Sequence, residues 1–180
     1  MSVMEHTPEF SRPVLVDVIP TRGIDMEVEA KPGECAGLAE RFGIVAVRSL
    51  VASVRLRAMD NGTLFRLDGR LRAKVTQTCV VTLEPLEQEV DETFTMTFGG
   101  SEESDTMELD LSMDDDDPPE PLVDGAIDVG EVVAEHLALA LDPFPRKAGA
   151  ALPEVVAEPE VVEVKVSPFA ALAGLREKKK

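Results

Sequence analysis

Cys35, Cys79, His6 and His136 are the only thiols and imidazoles in this chain of 180 residues. Metal sites need such donors at short, fixed spacings. Cys79-Val80-Val81-Thr82 falls one residue short of a CxxC pair, because Thr82 stands where a second cysteine would be. The metal reading therefore fails, and Cys79 reads as a small buried residue. His6 lies near the chain start, and His136 falls on an apolar helical stripe, where an imidazole reads as a packing group. No nucleophile is tied to either histidine, and no P-loop, dinucleotide fingerprint, HExxH or GxSxG occurs. The expectation is no enzyme, no cofactor, no metal and no small-molecule substrate. The run Asp114-Asp115-Asp116-Asp117 lacks the spaced ligands and glycine of an EF-hand. It reads as a solvated acidic loop, able to shield a basic face or to mimic phosphate toward a basic partner.

Charge is segregated. The chain carries a net −17, yet residues 41 to 77 hold eight Lys or Arg against two Asp, a local +6. Arg66, Arg70, Arg72 and Lys74 alternate along one strand face, and Arg55 and Arg57 join them from a neighbouring strand. These six are the candidate contacts for RNA or a protein partner. Two readings compete. In the first, a basic sheet face meets phosphates or an acidic protein. In the second, Glu87, Glu89 and Asp91 approach Lys74 and Arg72 as a cross-strand charge ladder, leaving Arg55, Arg57, Arg66 and Arg70 free.

The positioning elements follow from periodicity and turn chemistry. Asn61-Gly62 supplies the two positive-φ positions of a type I′ turn. With those two residues as the loop, position i faces 123 − i. Ala58, Leu56, Val54 and Ala52 then meet Phe65, Leu67, Gly69 and Leu71, while Arg57, Arg55 and Ser53 meet Arg66, Asp68 and Arg70. A slip of one residue would mix the faces. A turn near Leu83-Glu84-Pro85 leads to a third strand from Glu87 to Phe98, with Val90, Phe94, Met96 and Phe98 inward. Val14 to Ile19 and Ile24 to Ala30 read as two further strands around Pro20-Thr21-Arg22-Gly23. Glu34 to Phe42 reads as a short helix stopped by Gly43. Asp128, with Glu131 three residues on, forms an Asp-led capping box for a helix from Val129 to Leu141, ended by Pro143 and Pro145. Val129, Val132, Val133, His136, Leu137 and Ala140 make its core stripe.

The fold class expected is α+β: a β-rich antiparallel meander, left open or closed into a small barrel, with two short helices, an acidic loop and a flexible C-terminal tail. Residues 1–147 form the domain, with a disordered acidic loop at 100–123. Residues 148–180 form a linker and a short helix. That helix is capped by Ser167-Pro168 and offers Phe169 and Leu172 for partner docking. With seven Phe and no Trp or Tyr, base-stacking material is scarce. There is no apolar leader segment and no apolar run of membrane-spanning length, so a reducing cytoplasm is expected and no membrane partner.

Three segments carry a resemblance. They are Thr78-Cys79-Val80-Val81-Thr82-Leu83-Glu84-Pro85-Leu86, the block Asp124-Gly125-Ala126-Ile127-Asp128-Val129-Gly130-Glu131 through Leu141-Asp142-Pro143, and the ending Ser167-Pro168-Phe169-Ala170-Ala171-Leu172. Together they resemble the YceD-like family of large ribosomal RNA subunit accumulation proteins. The resemblance implies a bacterial or organellar factor needed for accumulation of large-subunit ribosomal RNA, with no known reaction. Many members carry CxxC at the first segment and a cysteine after the helix; this chain has Thr82 and no cysteine beyond Cys79. The expectation is a non-catalytic assembly factor that binds ribosomal RNA, a precursor particle or a ribosomal protein. The alternative is an acidic adaptor for a basic ribosomal protein without RNA contact.

Overall fold

The computed structural model describes residues 8–99 and 118–151. Residues 100–117 and 152–180, with the Asp114–Asp117 run, Phe169 and Leu172, lie outside the described residues.

The centre is a hairpin of β3 (Ala46–Met59) and β4 (Leu64–Thr78). Its register is the one expected, Ala52↔Leu71 through Ala58↔Phe65. Asn61 and Gly62 both take positive φ, 56° and 92°. The turn is closed by the Thr63 N–H donating to the Asp60 carbonyl at 3.3 Å. Asp60 also enters the left-handed region, at φ 45°, so the chain leaves the ladder one residue before the turn proper. A bulge places Arg48 between Val47 and Ser49 and re-aims the start of β3.

β5 (Pro85–Gly99) pairs antiparallel along all of β4, and β2 (Ile24–Glu29) pairs with β3. The sheet is thus open, four-stranded and antiparallel, in the order β2-β3-β4-β5. It does not close into a barrel. The strand predicted at the start of the chain finds a different partner. β1 (Pro13–Leu15) pairs with β6 (Ala126–Asp128), not with β2, and Val16–Val18 curls into a 3-10 turn. The turn at Pro20–Gly23 does form, through the Gly23 N–H on the Pro20 carbonyl, but it redirects the chain instead of making a hairpin. The reason is local: the Ile19 N–H already bonds the Val16 carbonyl, so Val16–Val18 cannot offer a ladder edge to β2.

Two helices cover the apolar face of the sheet, α1 (Pro32–Phe42) against β3 and α2 (Val129–Ala140) against β4 and β5. Pro32 fits the first turn of α1, where its missing N–H costs nothing, and Gly43 closes the helix at φ 64°. Leu38, Leu50, Leu56, Leu67, Leu71 and Leu137 are fully buried in one core. Asp128 caps α2 by accepting from the N–H groups of Gly130 and Glu131 at 3.0 and 3.2 Å. The expected return bond from Glu131 is absent, because its carboxylate grips Arg41 of α1 at 2.5 and 2.9 Å. That bidentate pair ties the two helices together.

Candidate interaction surfaces

The sheet's outer face carries all six expected contact residues. Their placement agrees with the alternation, and their surroundings do not. The ladder runs further than the sequence suggested. Arg70 holds Asp91 through two 2.6 Å hydrogen bonds, and Arg72 lies 3.6 Å from the same carboxylate. Lys74 reaches Glu89 at 3.1 Å. Arg57 and Arg66 both bond Asp68 at 2.9 Å, and Arg55 lies 3.5 Å from Asp25 on β2. The cations expected to stay free are thus each placed beside a carboxylate. Two sources supply the carboxylates: Asp68 within β4 itself takes Arg57 and Arg66, and the flanking strands take the rest, with Asp25, Glu27 and Glu29 of β2 and Glu87, Glu89 and Asp91 of β5 on this face. The face is a basic stripe between two acidic ones.

Asp68 is the hub of this network, and one whose role the pairwise register does not reveal. It stands opposite Arg55 yet bonds the diagonal Arg57, its own neighbour Arg66, and the Thr95 hydroxyl at 3.0 Å. Burial alone would raise its pKa. The hydrogen bonds from Arg66, Thr95 and Arg57 outweigh that and hold it below the usual carboxylate range. Asp91 is lowered in the same way, chiefly by Arg70. A shallow groove of about 550 Å³ crosses the stripe, floored by Ser49, Val51 and Ser53 and flanked by Arg70, Arg72 and Lys74.

His136 occupies the packing role expected of it. Its ring stacks on Phe94 with centroids 4.1 Å apart and an 18° interplanar angle. Burial lowers its pKa, against an opposing pull from Glu92.

Cys79 is more than a small filler. It is fully buried at the end of β4, where the β4–β5 turn meets the segment after α2. Its sulfur accepts the Thr82 N–H at 3.5 Å and the Lys147 N–H at 3.3 Å. The Thr82 side chain also hydrogen-bonds it, so the residue in place of a second cysteine serves the first. Those bonds, the Thr82 side chain first and the Lys147 N–H next, hold the thiol pKa down at about 6, against the opposing effect of burial. Three further links join the same two segments. The Val80 N–H donates to the Pro145 carbonyl at 2.9 Å, Gln77 Nε2 to the Asp142 carbonyl at 3.0 Å, and Lys147 Nζ to Glu84 at 2.8 Å. Spacing alone could not reveal this hub, because Lys147 lies 68 residues away.

A thiolate pKa below its unfolded value stabilises the fold fully above the ordinary thiol value of 9.0. That contribution is lost as pH falls through about 6. Cys79→Ala should therefore melt lower than the parent, with a larger gap at pH 9 than at pH 5.5, as thermal scans at both would record. An equal gap at both would show that only packing was lost.

Among the described residues, no group of three or more His, Cys, Asp or Glu side chains could hold a metal ion, and no helix is long and apolar enough to cross a membrane. No curated protein and no solved structure matches the chain. A family model does match, over residues 67–176, from β4 through α2 and beyond: Large ribosomal RNA subunit accumulation protein YceD. That span covers more than half of the chain, which therefore belongs to the YceD family, whose description ties it to the accumulation of large-subunit ribosomal RNA.

Proposed function

We propose that this protein is a non-catalytic factor in assembly of the large ribosomal subunit, and that it reaches the particle through a basic protein component. The observation that carries the second half is the compensation of the sheet face. Each of the six expected contact cations lies within 4 Å of a carboxylate, on a chain of net charge −17. A polyanion gains little from cations already paired, whereas an acidic surface attracts a basic protein and speeds its encounter. The non-catalytic half is supported by the employment of His136 in stacking and of Cys79 in an enclosed hydrogen-bonded hub. Assembly in the cytoplasm is the setting this reading implies.

The second reading is direct contact with ribosomal RNA through Arg55, Arg57, Arg66, Arg70, Arg72 and Lys74, favoured by their gathering on one face. It requires the carboxylates to be displaced. Exposed ion pairs are worth only about 0–1 kcal/mol each, so the fold should survive neutralising the cations. The triple variant Arg57→Gln, Arg66→Gln, Arg70→Gln separates the readings. Capture of RNA-free large-subunit proteins should be unchanged in the variant. If instead it loses a salt-sensitive affinity for large-subunit RNA that the parent shows, the RNA reading takes its place. Normal large-subunit RNA levels and particle profiles after depletion of the protein would end both.

A further inference from the structure

The two segments stitched together at Cys79 form a tip at one end of the sheet, and that tip presents apolar side chains to solvent. Leu83 is 76% exposed, Phe144 68% and Val80 44%. Phe144 is the one ring among the described phenylalanines that is this open; Phe10, Phe65, Phe94 and Phe98 are buried. Leu83 is held at φ 59°, a left-handed conformation that a bulky side chain rarely adopts and that glycine or asparagine fills at lower cost. The turn fixes it there, with the Leu83 N–H on the Cys79 carbonyl at 2.9 Å and the Cys79 N–H on the Glu84 carbonyl at 2.8 Å. An exposed leucine in a strained, firmly held conformation serves no purpose in the core. Strain of this kind is maintained where the side chain's position matters.

We infer that the tip formed by Val80, Leu83 and Phe144 is a preorganised docking knob for an apolar cleft on a basic protein of the large subunit. The inference rests on the protein-partner reading above and names its contact surface. Preorganisation matters because ordering loops on binding costs free energy that a fixed tip has already spent on folding. An aromatic and an aliphatic anchor on a rigid base are the side chains that carry interface affinity, with a charged rim around them. Arg146, without a carboxylate partner among the described residues, is a tip group that would favour nucleic acid over a basic protein, so its reversal separates the two occupants. Lys147 is neutralised by Glu84. The occupant follows from charge: the net −17 of the chain repels a nucleic acid and draws in a basic protein.

The test uses the full chain with Leu83→Asn, Phe144→Ala and Arg146→Glu as separate variants. The probes are large-subunit ribosomal proteins freed of RNA by ribonuclease and high salt, and, in a second arm, naked large-subunit RNA. Asn accepts the left-handed position, so Leu83→Asn should melt at the same temperature as the parent or slightly higher. It should nonetheless bind a defined ribosomal protein about tenfold more weakly, as should Phe144→Ala. Parent-like binding by both variants overturns the knob while leaving the assembly reading intact. Binding to RNA alone, abolished by Arg146→Glu, overturns the protein occupant. A fall of several degrees in melting temperature for both variants would mean that the chain covers its own tip, which also overturns it. If the parent captures neither probe, the protein-partner reading itself falls.

Discussion

Gly130→Ala should lower the stability of the domain by about 3 kcal/mol, although alanine is the better helix former by about 1 kcal/mol. Gly130 is the second residue of α2 and is buried. A Cβ there would lie 2.2 Å from the Phe10 carbonyl oxygen and 3.0 Å from the Arg12 N. Neither can step aside. Phe10 is fully buried, the Arg12 N–H donates to Asp128 Oδ1 at 2.6 Å, and the Arg12 carbonyl accepts the Val129 N–H at 3.1 Å. Ser11 Oγ adds a hydrogen bond of 2.5 Å to the other Asp128 oxygen. The methyl group must therefore break the β1–β6 junction or unseat the first turn of α2. At about 2–4 °C per kcal/mol for a domain of this size, thermal melting should fall by roughly 10 °C. Gly33→Ala is the control: a Cβ there meets nothing within 4 Å, so propensity alone acts and stability should hold or rise. If Gly130→Ala were also neutral or stabilising, the close approach of Phe10 to α2 would be wrong.

Gly69→Ala should cost about 2–3 kcal/mol for a different reason. Gly69 faces Phe94 across the β4–β5 ladder, and a Cβ there would come within 2.3 Å of the Phe94 ring tip. The ring lies over the glycine, an arrangement in which an aromatic covers backbone that a side chain would otherwise shield. It cannot rotate away freely, because the ring is stacked on His136 of α2. A methyl group at 69 therefore acts on the seat of the helix as well as on the strand pair. Chemical denaturation measures the loss. The companion variant Phe94→Leu should reduce the added penalty of Gly69→Ala, since the two groups compete for one space. Strict additivity of the two changes would show that they do not touch.

Much of this was legible in the sequence because local rules agreed with one another. Asn61-Gly62 fixed the hairpin, and the apolar alternation on both arms fixed its register to the residue. Asp128 announced α2 by the chemistry of its side chain. What stayed hidden depended on contacts between distant positions. The pairing of β1 with β6 joins residues more than a hundred apart, and nothing in Val14 to Ile19 says that its partner is Ile127 and not β2. The fate of the basic row was half visible. Glu89 opposite Lys74 could be counted from the register, but the grip of Asp68 on Arg57 depends on diagonal reach across the twisted sheet. Cys79 reads as a small buried residue in the sequence because the Lys147 N–H that meets its sulfur comes from 68 residues away and appears in no residue pattern, although Thr82 stands in plain view.

The way β5 ends has a consequence for how the chain can vary. The Gly99 N–H bonds the Glu120 carbonyl at 2.9 Å, and the Glu120 N–H returns to the Thr97 carbonyl at 2.8 Å. The two ends of the acidic segment are thereby pinned side by side, whatever lies between them. For any flexible connection between two clasped positions the closure entropy grows only with the logarithm of its length, so doubling the length costs about 0.6 kcal/mol. The clasp makes this point on the β5 edge a permissive insertion site, where acidic residues can accumulate or be lost with little change in the stability of the sheet. Selection on that segment can then act on charge and reach, almost independently of folding.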